Sequence, residues 1–206
     1  MEKLSYFIRN GIVINYILNT FATKHHIVEV GCREGVLANT LLNYHYKNLT
    51  LIDIEDNLSP RIKKQIQFQK CDVSFAPIPL ATQSQDAIIA TQVVEHLENP
   101  FFFFREAKRV LKEKGQLIIS IPYIFSIRSK IDFLLHGDLH RYNEHNDHIA
   151  LFTKAVFQKT VLKNFKIFKT IYSRGYIKIR HRKIYLPDKF NKYFGNCVLF
   201  IMEVKN

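Results

Sequence analysis

The chain has 206 residues, of which 47% are hydrophobic, and its 30 lysines and arginines exceed its 18 aspartates and glutamates by 12. This length suits one compact domain, and the apolar content excludes an intrinsically disordered chain. Seven glycines and six prolines exclude collagen-like and low-complexity sequences. Three scattered cysteines, no visible signal peptide and no apolar run of about 18 residues predict a soluble, cytoplasmic protein.

Through residue 122 the apolar pattern predicts helices that alternate with short strands. Helical spacing of apolar residues occurs in residues 5–21, 35–44 and 101–111. Short apolar runs predict strands at residues 26–30, 49–54, 66–69, 86–91 and 117–121. Gly115 is predicted to end the third helix. Such alternation, with strands apolar on both faces, predicts a parallel sheet covered by helices.

The last third of the chain follows a different pattern. Residues 165–172 and 197–204 are two further strand candidates, and a long basic stretch without a clear helix separates them. They predict an antiparallel pair that completes the sheet. Residues 151–206 hold 13 basic and 2 acidic side chains, so nearly all of the net charge lies there.

In an open sheet of this kind, ligands bind at the carboxyl ends of the strands. The first strand continues into Gly31, which permits a tight turn, and then Gly35, which permits close backbone approach or helix packing. Arg33 and Glu34 interrupt the dinucleotide-binding pattern of glycines, and a pyrophosphate would be disfavoured by Glu29 and Glu34. The alternative is an ordinary turn from strand to helix.

Carboxylates follow the next two strands. Asp53 ends the second strand, 22 residues beyond Gly31, where a carboxylate can accept hydrogen bonds from both ribose hydroxyls of a nucleoside. Asp72 follows the third strand and is a candidate acceptor for an adenine amino group. A solvated aspartate at a strand end is the alternative for Asp53. Residues 90–97 form a fourth such segment, at the end of the fourth strand.

Together these segments resemble the class I S-adenosylmethionine-dependent methyltransferases, especially their type-11 branch. The matching stretches are VEVGCREG, LTLIDIED, QKCDVSFAPIPLATQSQDAIIATQVVEHLENP and KRVLKEKGQLIISIP, which cover about residues 26–122 in the right order and spacing. The resemblance implies an α/β fold with a doubly wound, mostly parallel seven-stranded sheet and an antiparallel C-terminal strand. We predict a single domain, made of a helical segment 1–25, a cofactor-binding core 26–122, a substrate lid 123–155 and basic strands 156–206.

The resemblance further implies S-adenosylmethionine as the cofactor. Matched by position, the implied cofactor-binding residues are Glu29, Gly31, Cys32 and Gly35 around the methionine moiety, Asp53 at the ribose, Ile54, Asp72 and Val73 at the adenine, and Gln92 at the methyl-transfer face. Two positions depart from the branch, because Arg33 replaces a usual glycine and Gln85 replaces a common aromatic residue. An arginine at position 33 is tolerated if its backbone angles are ordinary, and the alternative is a clash with the cofactor.

A polar cluster with four histidines, residues 136–148, follows the fifth strand and is predicted to be either a substrate lid or a hydrated loop. Within it, His140 is the candidate general base and Arg141 the candidate anion clamp. The spacing of these histidines suggests a metal site as an alternative. No cysteine or known metal-binding motif accompanies them, so no metal ligand is predicted. His96 is interpreted as the polar start of a helix, and Phe101–Phe104 as core residues rather than an oligomer contact.

The leading hypothesis is a methyltransferase that transfers a methyl group by in-line displacement to a hydroxyl or carboxyl oxygen. The acceptor is predicted to be a small molecule or a glycan, and the positive charge of the chain favours an anionic one. The alternative is a non-catalytic module of the same fold, or an RNA methyltransferase, whose basic C-terminal face binds an anionic polymer or a membrane surface. Residues 172–185 support that alternative, since basic and aromatic side chains interleave there, although a solvated hairpin has the same composition.

Overall fold

The computed structural model describes residues 6–139, 141–179 and 182–205. Its strands are β1 (Ile27–Val30), β2 (Leu49–Asp53), β3 (Gln67–Lys70), β4 (Gln85–Thr91), β5 (Leu111–Pro122), β6 (Phe165–Tyr172), β7 (Tyr176–Ile179), β8 (Arg182–Tyr185) and β9 (Cys197–Val204). Its α-helices are α1 (Tyr6–Arg9), α2 (Ile12–Thr20), α3 (Val36–Asn43), α4 (Pro60–Lys63), α5 (Pro100–Val110), α6 (Ile127–His136), α7 (Lys154–Thr160) and α8 (Asn191–Phe194).

Seven strands form one sheet in the order β3-β2-β1-β4-β5-β9-β6. Strand β1 lies in parallel between β2 and β4, with Ile27 opposite both Leu49 and Ala87. Strand β9 is antiparallel to both of its neighbours, β5 and β6. The predicted Rossmann-like sheet and its antiparallel C-terminal strand are therefore confirmed, and the carboxyl ends of β1, β2, β3 and β4 meet at one edge.

Helices cover both faces of this sheet, as its doubly apolar strands require. On one face, Phe103 and Phe104 of α5 pack with Phe157 of α7 over β4 and β5. On the other, side chains of α1, α2 and α3 pack over β1 and β2. Two members of the phenylalanine run are thus core residues, as predicted, whereas Phe101 keeps 38% of its surface exposed.

Three local features differ from the sequence-based expectations. The N-terminal helix is interrupted at Gly11, whose φ of +67° is left-handed. Gly115 lies inside β5 and does not end the preceding helix. That helix ends at Val110, because Leu111 is already extended and pairs with Gln85 of β4. The basic stretch contains the β7–β8 hairpin and the short helix α8.

None of the helices in the described ranges has the length and apolar character of a membrane-spanning helix.

Candidate functional site

The turn after β1 depends on two glycines in left-handed conformations. Gly31 has a φ of +72°, and a Cβ atom built there would overlap Cγ2 of Val93. Gly35 has a φ of +71°, and its Cβ would lie 2.8 Å from Cδ2 of Leu58. The turn therefore packs against the segments that follow β2 and β4, and only glycine satisfies both the backbone angle and the space.

Asp53 joins three of the strand ends. Its Oδ2 accepts a hydrogen bond of 2.8 Å from the backbone N–H of Arg33, and its carbonyl oxygen accepts one of 2.9 Å from the backbone N–H of Cys71. Arg33 has a φ of +48°, which differs from the ordinary backbone angle expected for a tolerated arginine, but its side chain is exposed. A clash between Arg33 and the cofactor therefore stays a prediction. The carboxylate of Asp53 holds the left-handed backbone in place.

Glu29 is a buried acid at the end of β1. Its Oε2 has no hydrogen-bond partner within the described ranges. Burial is the main reason that the pKa of Glu29 rises from 4.5 to about 8, and the charge of Asp53 raises it further, whereas the backbone N–H of Ala38 favours the ionised form. A buried carboxylate oxygen without a donor is a ready acceptor for a cationic ligand group.

Cys32 is buried in the same turn. Burial, together with the negative charges of Glu29 and Asp53, raises the pKa of its thiol well above the ordinary range. A thiol with a raised pKa is a poor nucleophile. Cys32 therefore serves to pack the turn.

The remaining predicted cofactor residues lie at the ends of β2, β3 and β4. Ile54 is 56% exposed and presents an apolar surface. Asp72 is exposed and accepts a 2.9 Å hydrogen bond from the backbone N–H of Ser74, while Val73 is buried. Gln92 is half-buried with a φ of +56°, and its backbone N–H donates to Oγ of Ser120 at 3.0 Å. These positions surround the edge of the sheet at which the cofactor is expected.

The predicted lid is attached to the loop after β4. The backbone N–H groups of Ile149 and Ala150 both donate to the carbonyl oxygen of Glu95, at 2.8 and 2.9 Å. Arg141 is half-buried, and Nδ1 of His148 lies 2.5 Å from its carbonyl oxygen. His140, the candidate general base, lies outside the described residues, so its role stays a prediction.

A cleft of about 440 Å³ lies beside this attachment. Its walls come from the start of α5 and from the end of the lid, and the lining is mainly apolar. The lining residues are Leu97, Glu98, Pro100, Phe101, Ile149, Ala150, Leu151 and Phe152. Such a cleft can hold an apolar part of a ligand.

Sequence reasoning did not find the cluster formed by Glu95, His96 and His148. Glu95 is fully buried, and neither of its carboxylate oxygens has a hydrogen-bond partner among the described side chains and backbone. Burial raises the pKa of Glu95 to about 8, although its own backbone N–H, which lies near but outside hydrogen-bond geometry, and the charge of Arg141 oppose this shift. One potential ligand atom from each of the three residues lies within 4.8 Å of the other two.

Comparison with known proteins finds relatives for the part of the chain that contains strands β1 to β5. Residues 28–119 match a protein family described as "Methyltransferase domain", type 11. Over 119 residues the chain is 28% identical to a "Probable S-adenosylmethionine-dependent methyltransferase" of Mycobacterium tuberculosis, covering 57% of this chain and 43% of that protein. Over 130 residues it is 25% identical to the mitochondrial ubiquinone biosynthesis O-methyltransferase of Mus musculus, covering 55% and 35%. The chain thus spans less than half the length of these relatives.

Solved structures extend the similarity to the whole fold. The N-methyltransferase NodS from Bradyrhizobium japonicum, crystallised with S-adenosyl-L-homocysteine, superposes with a TM-score of 0.62 at 17% identity. The match covers 97% of this chain and 87% of that one. At this identity the likeness concerns the fold.

Proposed function

Residues 28–119 form a methyltransferase domain of the type-11 branch of the class I family, and from this premise we propose that the chain binds S-adenosylmethionine and methylates an oxygen acceptor. The observation that carries the proposal is the Asp53 carboxylate, which is hydrogen-bonded to the glycine-rich turn and stands at the end of β2. A carboxylate at that place in a doubly wound sheet accepts hydrogen bonds from ribose hydroxyls.

The residues present fit this cofactor better than a dinucleotide. S-adenosylmethionine carries an ammonium group and a sulfonium but no phosphate, so a turn with acidic side chains suits it. The unpartnered, buried Oε2 of Glu29 would accept a hydrogen bond from the ammonium group. Exposed Ile54 would pack against the adenine, Asp72 and the backbone of Val73 would meet its amino group, and Gln92 would line the methyl-transfer face.

When bound, S-adenosylmethionine supplies a methyl group on a sulfonium: a lone pair of the acceptor oxygen bonds to the methyl carbon, the carbon–sulfur electrons stay on sulfur, and the acceptor proton leaves. The chain's contribution is mainly to hold acceptor and cofactor in line, an effect worth about 7–11 kcal/mol in well-oriented reactions. His140 would take the acceptor proton, which contributes about 10²–10⁴-fold in rate, and Arg141 would bind an anionic part of the acceptor.

A small-molecule or glycan-type acceptor with a hydroxyl or carboxyl oxygen is the finer part of this proposal. The relative named as a ubiquinone biosynthesis O-methyltransferase supports oxygen as the acceptor atom. The apolar cleft beside Phe101 and Phe152 supports an acceptor with an apolar portion, and half-buried Arg141 supports an anionic one.

Calorimetry with S-adenosylhomocysteine tests the proposal. We expect the wild type to bind with 1:1 stoichiometry and Asp53→Ala to bind about 10- to 100-fold more weakly, because hydrogen bonds to a charged carboxylate are lost. Asp188→Ala is the matched control, since Asp188 is exposed and lies beyond β8. No binding by the folded wild type, or unchanged binding by Asp53→Ala, would refute the assignment.

A second candidate role, peripheral contact with an anionic lipid surface, is favoured by helix α6. This helix places Ser129 against the protein, whereas Phe133, Leu134 and Leu135 are 56%, 81% and 71% exposed. Exposed apolar residues on a helix are typical of an interaction face. The helix also contacts the basic hairpin, because Nη1 of Arg128 lies 3.4 Å from the hydroxyl of Tyr176 in β7.

The charge of the neighbouring hairpin is complementary to anionic lipid. Arg182 and Lys183 of β8 are exposed, and Lys183 lies over the ring of Tyr176 at 4.6 Å. Apolar side chains beside lysines and arginines bind the headgroup region of acidic membranes. Arg180 and His181, part of the basic segment predicted from sequence, lie outside the described residues.

Vesicle co-sedimentation tests this surface. We expect wild-type protein to bind vesicles that contain phosphatidylserine but not vesicles of phosphatidylcholine alone, and the double variant Leu134→Ser, Leu135→Ser to bind at least about tenfold more weakly because apolar insertion is lost. Tyr44→Ser, at an exposed apolar position after α3, should bind like the wild type. Equal binding by the double variant contradicts the role, and binding to single-stranded RNA in its place would assign the basic face to nucleic acid.

A further inference from the structure

The cluster of Glu95, His96 and His148 brings two imidazoles and a carboxylate together at the end of β4. The imidazole rings stand edge to face, with their centroids 4.7 Å apart. Potential ligand atoms of the three residues all lie within 4.8 Å of one another. Two histidines and one carboxylate are the donor set of many sites for divalent first-row transition metals.

Both histidines are oriented by acceptors on their Nδ1 atoms. Nδ1 of His148 lies 2.5 Å from the carbonyl oxygen of Arg141. Nδ1 of His96 lies 3.2 Å from the carbonyl oxygen of Asp147 and 3.2 Å from its carboxylate. Both acceptors are oxygen atoms, so Nδ1 is assigned as the donor in each ring and Nε2 is the nitrogen left to bind an ion. An acceptor behind each imidazole is the usual second layer of a metal site.

Glu95 supplies an independent sign of a missing partner. The residue has no exposed surface, and both of its carboxylate oxygens lack a hydrogen-bond partner in the part of the chain that the structure describes. Buried carboxylates in native proteins are paired, hydrogen-bonded or bound to a metal. The nearby charge of Arg141 acts on Glu95 without a hydrogen bond between them.

We propose that Glu95, His96 and His148 hold one divalent transition-metal cation, such as Zn²⁺, Mn²⁺ or Fe²⁺. Metal–nitrogen and metal–oxygen distances of about 2.0–2.2 Å place neighbouring ligand atoms about 3 to 3.5 Å apart. The present separations, each no more than 4.8 Å, would have to shorten by about 1 to 2 Å when the ion binds. The half-exposed side chains of His96 and His148 leave a path for the ion, and the buried carboxylate of Glu95 neutralises part of its charge.

Three protein ligands would leave coordination positions open, to which an oxygen of the acceptor could bind. A role of the cation in binding the acceptor rests on the proposed function. Glu95 is three residues beyond Gln92, so the cation lies on the segment that borders the methyl-transfer face. A hydroxyl or carboxyl oxygen of the acceptor would complete the coordination of the cation. As a Lewis acid, the cation would lower the pKa of a bound hydroxyl. The acceptor class is therefore one that presents a metal-binding oxygen.

Metal titration of the purified 206-residue chain is the test. We expect one equivalent of Co²⁺ to bind with visible d–d absorption bands, Zn²⁺ to displace it, and Zn²⁺ to raise the melting temperature of the wild type. Glu95→Gln and His148→Gln should each weaken Co²⁺ affinity at least about tenfold. His145→Gln is the matched control, because its side chain is 83% exposed in the same segment, and it should bind like the wild type.

The outcome separates the metal site from the methyltransferase assignment. Glu95→Gln should keep its affinity for S-adenosylhomocysteine within about threefold, since no cofactor contact is removed. Absence of stoichiometric Co²⁺ or Zn²⁺ binding by folded wild type, or an equal loss in His145→Gln, would overturn the proposal. If the metal binds and S-adenosylhomocysteine does not, the metal site stands and the proposed function fails.

Discussion

Replacing Gly31 by alanine is expected to destabilise the protein by about 3 kcal/mol or more. Two effects add at this position. A left-handed conformation costs a residue with a Cβ about 1–2 kcal/mol, and the new Cβ would overlap Cγ2 of Val93, an overpacking that costs about 1–3 kcal/mol. Urea unfolding followed by circular dichroism measures the loss, and S-adenosylhomocysteine binding should fall with it, because the turn moves away from Asp53.

Gly137 provides the matched control for this prediction. Its φ is +73°, nearly the same as that of Gly31, but a Cβ built there meets no atom within 4 Å. Gly137→Ala should therefore cost only about 1–2 kcal/mol, the conformational part. Adding Val93→Ala to Gly31→Ala removes Cγ2 and should recover part of the stability. Equal losses at Gly31 and Gly137 would mean that the close contact with Val93 contributes nothing.

Replacing Glu29 by glutamine is expected to stabilise the fold at alkaline pH and to weaken binding of S-adenosylhomocysteine at least about tenfold. Burial raises the pKa of Glu29 in the folded state from 4.5 to about 8, so folding takes up a proton between these values. The contribution of Glu29 to stability is complete below pH 4.5 and is lost as the pH rises to about 8, at no more than about 1.4 kcal/mol per pH unit. Glutamine does not titrate, so the Glu29→Gln variant should not lose this stability as the pH rises.

Urea denaturation of wild type and Glu29→Gln at several pH values between 5 and 8 measures the effect. The free energy of unfolding of the wild type should fall more steeply with pH than that of the variant. Glu34→Gln is the control, because Glu34 is exposed in the same turn and its replacement should change neither the slope nor ligand affinity. Parallel slopes for wild type and Glu29→Gln would contradict the prediction. A buried acid that is retained at a cost in stability is consistent with the proposed contact between Glu29 and the cofactor.

Most of the sheet could be predicted from sequence because its cause is local. Buried strands such as β1 and β2 are short β-branched or leucine-rich runs, and α3 repeats its apolar residues at helical spacing. The predicted boundary between α5 and β5 is wrong, because the pairing of Leu111 with Gln85 of β4 extends the strand back past Gly115. Strand propensity at residues 112–116 is too weak to predict this.

The residues at the strand ends and the cluster of Glu95, His96 and His148 also differ in whether the sequence could predict them. By itself the sequence determined the turn after β1, the aspartate after β2 and their order, because each lies within a few residues of a strand that hydrophobicity locates. Only the tertiary structure brought His148 to Glu95 and His96, which precede it by more than 50 residues, and turned the apolar side chains of α6 outward. Contacts between distant segments depend on how residues 148–150 pack against the loop after β4, and no local periodicity encodes that packing.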